Sequence, residues 1–72
     1  MKHTPDIEIG FRAAAEVDRL FRTRAAAARA LGVDRKLPRY WEQGTAPSAF
    51  VLLKLHYAGA DVMYILTGRR SK

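Results

Sequence analysis

The sequence predicts a compact all-α fold of five helices, and three patterns carry the prediction. Apolar residues recur at helical spacing along most of the 72 residues. Alanine, the strongest helix former, dominates residues 25–30. Glycines follow the apolar stretches at positions 32, 44, 59 and 68, where helices commonly end. A chain this short forms one domain, so we expect residues 1–72 to fold as a single unit.

The first helix is expected from about Pro5 to Phe21. Thr4 is a favourable N-cap, proline suits the first helical position, and the acidic residues that follow complement the helix dipole. An apolar stripe is expected to face inward. Its members are Ile9, Ala13, Val17 and Leu20.

Residues 23–44, TRAAAARALGVDRKLPRYWEQG, predict two short helices joined by a tight turn. Thr23 is expected to cap helix 2, about residues 24–31, because its hydroxyl can accept from the free N–H groups of the first turn. Gly32 supplies the positive φ that the turn needs. Two helices joined in this way form a helix-turn-helix, whose second helix usually enters the DNA major groove.

Helix 3 is expected at about residues 35–43. Asp34 can cap it, Trp41 is its apolar anchor in the core, and Gly44 is its stop. This helix would be the recognition helix of the motif.

Pro38 leaves the start of helix 3 open. If Asp34 is the cap, Pro38 is the fourth helical residue, the first whose N–H is normally used, and it biases Leu37 away from α. In the second interpretation the helix begins late, near Pro38, and Leu37 takes the core position. Arg35 and Lys36 would then lie in the turn, which changes the base contacts and keeps the positive charge.

Two further helices complete the fold. Helix 4 is expected at about residues 47–58. Asp61 is expected to cap a short helix 5 that Gly68 terminates. Helix 5 is apolar nearly all round, so one face serves the core and another face is left over.

The order and spacing of these features resemble the phage Cro and repressor family, also called lambda-repressor-like or XRE. The matching features are Thr23 at the opening of helix 2, Ala28 where helices 2 and 3 touch, Gly32-Val33-Asp34 in the turn, Trp41-Glu42-x-Gly44 at the close of helix 3, then Pro47-Ser48, Leu52 to Leu55 and AGADVMYILTGRR. The resemblance covers about residues 9–70 and implies a five-helix lambda-repressor-like DNA-binding domain. Pro38, in a place where the family usually has Ile or Val, departs from it, as does Phe21-Arg22 in place of a glycine.

The net charge of +6 is concentrated on the predicted helix-turn-helix. Residues 19–41 carry seven basic residues against one acidic residue, whereas residues 1–18 carry a net −2. Such a segment is typical of a phosphate-binding face, and a solvated basic surface without a partner is the alternative. Glu42, an acid beside this segment, is expected to bond to an arginine of the same molecule.

The resemblance and the charge together nominate the DNA contacts. Arg24 replaces a family glutamine that commonly touches phosphate. Arg35 and Lys36 are expected to meet guanine, whose O6 and N7 are acceptors in the major groove. Tyr40 is expected at a base edge or a phosphate, and Arg39 at a phosphate. The predicted DNA-binding residues are Arg24, Arg35, Lys36, Arg39, Tyr40, Gln43 and Thr45. The alternative for each is an exposed, solubilising side chain.

Helix 5 is the expected homodimer interface, because family repressors commonly pair through this region. Met63 and Tyr64 are its candidate residues, and packing in the core is the alternative. A dimer would place two recognition helices about 34 Å apart on a roughly palindromic operator. The basic tail, residues 69–72, is expected either to be disordered or to touch phosphate.

Other classes of function find little support. The chain has two serines, no cysteine and no base near either serine, so no nucleophile is expected. His3 and His56 lack companion ligands at metal-binding spacing. The longest apolar runs have five residues, far short of the ~20 that span a bilayer. We expect no enzyme activity, no cofactor, no metal and no membrane partner, and a cytoplasmic protein associated with the nucleoid through DNA.

The leading interpretation is a sequence-specific transcriptional regulator, a small Cro-like phage or prophage repressor whose partner is double-stranded operator DNA. The alternative is a protein-binding module on a helix-turn-helix scaffold, antitoxin-like or a phage-encoded inhibitor of a host protein. Pro38 inside the recognition helix is the main support for that alternative.

Overall fold

The computed structural model describes residues 5–70. Five helices follow one another in this part of the chain: α1 (Pro5–Leu20), α2 (Arg24–Leu31), α3 (Leu37–Glu42), α4 (Ala49–Tyr57) and α5 (Val62–Thr67). These residues contain no strand, so the all-α prediction is confirmed. The predicted cap Thr4, His3 and tail residues 71–72 lie outside the described residues.

Side-chain caps define most of the helix starts. Thr23 Oγ1 accepts from the N–H of Ala26 at 3.0 Å, as predicted, and α2 has the predicted bounds. Asp61 caps α5 in the same way. α4 begins two residues later than expected, because the hydroxyl of Ser48 accepts from the N–H of Val51 and makes Ser48 the N-cap.

The prediction that Asp34 caps a helix over residues 35–43 is wrong. α3 begins at Leu37, and Lys36 at the N-cap position makes no side-chain cap. The carboxylate of Asp34 accepts from the N–H of Lys36 at 2.8 Å, and its carbonyl accepts from the N–H of Leu37 at 2.9 Å. Pro38 is therefore the second helical residue, where no N–H is needed. The late start is the second of the two interpretations that the sequence left open.

The core surrounds α1, which packs against α2, α3 and α5. Trp41, Leu55 and Ile65 are fully buried, and the expected core position of Trp41 is confirmed. Gly10 allows α1 to lie directly on the end of α3. A Cβ at this position would stand 2.8 Å from the carbonyl oxygen of Trp41 and 2.6 Å from that of Thr45.

A buried carboxylate joins α1 to the C-terminal part of the chain. Glu16 is 0% exposed and accepts from Arg19 at 2.8 Å, from Arg70 at 2.8 Å and from the N–H of Asp61 at 2.9 Å. The hydrogen bond from Arg19 is the main cause that lowers the pKa of Glu16 to about 2. These contacts orient α5 relative to α1.

Candidate nucleic-acid interface

Residues 23–44, hereafter the α2–α3 unit, consist of two short helices and a five-residue connection, residues 32–36. Gly32 has a left-handed conformation with φ of 70°, and its N–H bonds to the carbonyl of Arg29. The N–H of Val33 then bonds to the carbonyl of Ala28 at 3.0 Å, which closes the end of α2. The late start of α3 makes this connection longer than the turn of three to four residues that the motif usually has.

An open cleft of about 340 Å³ lies in the α2–α3 unit and is lined by Ala25, Arg35, Lys36 and Arg39. All three basic residues are exposed, and none forms an ion pair with an acidic residue within the part of the chain that the structure describes. We call this the basic cleft. Its three unpaired positive charges and its open shape suit an anionic ligand.

Two uncharged residues, Tyr40 on α3 and Gln43 directly after it, also face outward, as does the acidic Glu42 at the end of the helix. Tyr40 is 45% exposed and Gln43 is exposed, whereas Pro38 and Trp41 are buried on the opposite side. Among residues 5–70, neither the phenol of Tyr40 nor the amide of Gln43 has a hydrogen-bond partner. Both groups are thus available for hydrogen bonds to a ligand.

Thr45 follows α3 and is also exposed. Its N–H bonds to the carbonyl of Tyr40 at 3.0 Å, after Gly44 has turned the chain with φ of 105°. Six of the seven predicted contacts therefore form two groups. Three cations share the cleft, while Tyr40, Gln43 and Thr45 lie along α3 and just beyond its end.

Arg24 is held differently from the other predicted contacts. Its guanidinium donates to both carboxylate oxygens of Asp18, at 2.6 and 2.9 Å, and to Glu42 at 2.6 Å. The hydrogen bond with Asp18, followed by that with Glu42, raises the pKa of Arg24 above its ordinary value. Arg24 likewise lowers the pKa of Asp18. The expected bond between Glu42 and an arginine is confirmed, and the charge of Arg24 is largely offset.

Sequence reasoning missed Ala25 in the cleft and Asp18 beside Arg24. Ala25 carried a usable signal, because it follows the cap Thr23 in the turn of α2 whose N–H groups lack helical partners. Asp18 carried no local signal. Its contact with Arg24 depends on how α1 packs against α2.

The two predicted dimer residues differ in their surroundings. Met63 is 54% exposed, whereas Tyr64 is half-buried against the core. The guanidinium of Arg70 lies 3.9 Å from the centre of the Tyr64 ring and also binds Glu16. Arg70, part of the basic tail, thus makes contacts within the molecule. Of the pair, Met63 is the residue accessible to a partner.

A second apolar face lies on α4. Phe50, Leu53 and Tyr57 are exposed at spacings of three and four residues, so they form one stripe along the helix. Val51 and Leu55 on the opposite side enter the core. These three side chains share one face, unlike the singly scattered apolar residues that an ordinary surface carries.

No protein-family model, curated protein or solved structure matches this chain in the comparisons made. Within the described residues no helix is long and apolar enough to cross a bilayer. The same residues contain no cluster of three or more histidine, cysteine or acidic side chains that could hold a metal ion. The geometry of the α2–α3 unit therefore carries the functional argument.

Proposed function

We propose that this chain is a sequence-specific DNA-binding transcriptional regulator, a small Cro-like phage or prophage repressor that uses α3 in the major groove. One observation carries the proposal. Arg35, Lys36 and Arg39 converge on a single cleft, without an acidic partner among residues 5–70, beside a short helix whose outward residues are polar and exposed.

Two physical terms would operate at this surface. Neutralisation of DNA phosphates by the basic residues releases counterions and supplies affinity that falls with salt. Hydrogen bonds from α3 to base edges supply sequence preference. The concentration of net charge on residues 19–41 would also orient the α2–α3 unit toward DNA during encounter.

The same proposal takes the α2–α3 unit as a helix-turn-helix and the five helices as a lambda-repressor-like domain. Support comes from the capped α2, the left-handed Gly32 and the buried Trp41 on α3. The longer connection before α3 and Pro38 in the first turn of α3 are the features in which this unit departs from the family pattern.

A homodimer on operator DNA belongs to the proposal. Met63 and Leu66 are large apolar residues exposed on α5, and a second copy would remove them from water. Two-fold pairing would set two α3 helices about 34 Å apart, one turn of DNA, on a pseudo-palindromic site.

The test is fluorescence anisotropy with labelled duplex DNA from upstream of the protein's own gene and with a scrambled duplex, across a salt series. An Arg35→Ala/Lys36→Ala variant removes two cleft charges. An Arg22→Ala/Arg29→Ala variant removes two exposed charges outside the cleft and is the matched control. We expect salt-steep binding that prefers the native duplex and is lost far more in the cleft variant. Weak binding without preference, by a protein shown to be folded, would exclude the regulator.

A second candidate is supported by the apolar stripe on α4. Phe50, Leu53 and Tyr57 offer a face suited to another protein, as expected for an antitoxin-like module or an inhibitor of a host protein. Under this alternative, DNA binding would show no preference for the native duplex, and substitutions in the stripe rather than in the cleft would abolish binding of the protein partner.

A further inference from the structure

We infer that the basic cleft clamps a backbone phosphate and that Tyr40 and Gln43, rather than Arg35 and Lys36, read the bases. This assignment rests on the proposed function and gives the phosphate contact and the base contacts to different residues of the same site. It reverses the expectation that the two basic residues before α3 meet guanine.

The start of α3 provides the first argument. Arg35 and Lys36 lie in the connection, before the helix, and the first two helical residues, Leu37 and Pro38, are turned toward the core. The first exposed residue of the helix is Arg39, and it faces the cleft that Arg35 and Lys36 also line. The helix therefore presents no basic residue to a base edge independently of the cleft.

The chemistry of the cleft provides the second argument. Within the part of the chain that the structure describes, its lining contains two guanidinium groups, one ammonium group and no acid. Guanidinium forks suit the paired free oxygens of a phosphate. Ala25 leaves room on the α2 side, in the first turn, where Thr23 caps the N–H of Ala26 and the N–H groups of Arg24 and Ala25 have no helical acceptor. A phosphate group of the DNA backbone matches this set better than the edge of a base.

Two uncharged residues provide the third argument, Tyr40 on α3 and Gln43 at its C-cap. They are three residues apart, so they lie on one side of this end of the helix. The amide of Gln43 can bond to N6 and N7 of adenine, and the phenol of Tyr40 can donate or accept. Neither residue gains affinity from phosphate charge, so their contribution would be to sequence preference.

The test starts from the duplex that the wild-type protein selects from a randomised library, with a scrambled duplex as reference. Arg35→Ala and Lys36→Ala should each lower the affinity for both duplexes by a similar factor. Each should also reduce the slope of log affinity against log salt by about 1. Tyr40→Phe and Gln43→Ala should leave that slope unchanged. They should lower the preference for the selected duplex by about tenfold, as expected for lost base contacts.

Repeating the selection with each variant gives an independent readout. The Arg35 and Lys36 variants should select the wild-type motif, whereas the Tyr40 and Gln43 variants should select an altered or degenerate one. A changed motif for the basic variants, with an unchanged motif for the uncharged ones, would overturn this assignment and leave the proposed function intact. Failure of the wild-type protein to select any motif would overturn both.

The clamp is also testable without DNA. When inorganic pyrophosphate is titrated into isotope-labelled protein, the backbone amide signals of residues 25, 35, 36 and 39 should shift. These shifts should reach a plateau as the binding site saturates. Shifts of the same size at Arg22 and Arg29, which lie outside the cleft, would show general charge screening and would overturn the clamp. All the substituted side chains are exposed, so circular dichroism should confirm an unchanged fold.

Discussion

The Nη1 atom of Arg24 lies 2.6 Å from the carboxylate of Glu42, so the first residue of α2 is bonded to the last residue of α3. Asp18 on α1 binds the other side of the same guanidinium. This contact ties three helices together at the edge of the α2–α3 unit. It also keeps two negative charges next to a surface that we propose binds DNA.

Glu42→Gln is expected to strengthen DNA binding while it weakens the fold slightly. The substitution removes one negative charge and frees part of the guanidinium of Arg24 for phosphate. Affinity for both native and scrambled duplexes should rise about two- to fivefold at low salt, since exposed pairs contribute less than about 1 kcal/mol. Anisotropy titrations measure the gain. Unchanged or weaker binding would show that Arg24 acts only within the fold.

Protonation of the Glu16 carboxylate is expected to lower the stability of the protein in acid. Its pKa in the folded protein is about 2, below the ordinary value of 4.5, so its contribution is complete above pH 5 and is lost as the pH falls toward 2. The free energy of unfolding should fall by roughly 3 kcal/mol over that window. Urea denaturation followed by circular dichroism at several pH values measures the fall.

The matching variant is Glu16→Gln, which should reduce stability at neutral pH and flatten the acid dependence. Asp34→Asn is a suitable control, because this exposed residue keeps an acceptor oxygen for the N–H of Lys36. An unaltered acid transition in Glu16→Gln would mean that other carboxylates cause it.

Gly10→Ala should destabilise the protein although alanine is the better helix former. The added Cβ would stand 2.6 and 2.8 Å from the carbonyl oxygens of Thr45 and Trp41, and backbone atoms there cannot move without displacing α3. We expect a loss of about 1–3 kcal/mol, typical of overpacking. Thermal unfolding measures it, with Ala15→Ser on the exposed side of α1 as control. A gain in stability would show that α1 and α3 lie farther apart.

Met63→Asp should weaken the proposed homodimer without unfolding the monomer. Met63 is more than half exposed, so the charge costs little in the monomer, yet it would be buried unpaired in a dimer. Sedimentation analysis should show a dissociation constant raised about tenfold or more. Tyr57 on α4 is even more exposed than Met63, and Tyr57→Asp should leave association unchanged. The opposite pattern would place the interface on α4.

Local chemistry explains what could be predicted from the chain. Thr23 and Asp61 cap α2 and α5 through bonds that span three residues, and Gly32 and Gly68 end the same helices in left-handed conformations. Such signals act within one turn, so they are readable without the rest of the fold. The amount and position of the basic charge were equally readable.

The start of α3 could be predicted only in part from the sequence. Pro38 has a local effect, the loss of one N–H donor, that allows either an early or a late start. The structure has the late start because Pro38 and Trp41 are buried together against the core, with Leu37 packed at its side. Burial of those side chains is a tertiary term, which no local pattern contains.

By itself the sequence determined the helix caps, the helix ends at glycine and the net positive charge of the central segment. Only the tertiary structure decided which charges stay free. Arg24 forms ion pairs with Asp18 on α1 and Glu42 on α3, because helix packing places these carboxylates beside it. Arg35 and Lys36 instead line an open cleft. The physical reason is that an ion pair requires its partners within about 4 Å, and helix packing sets that distance.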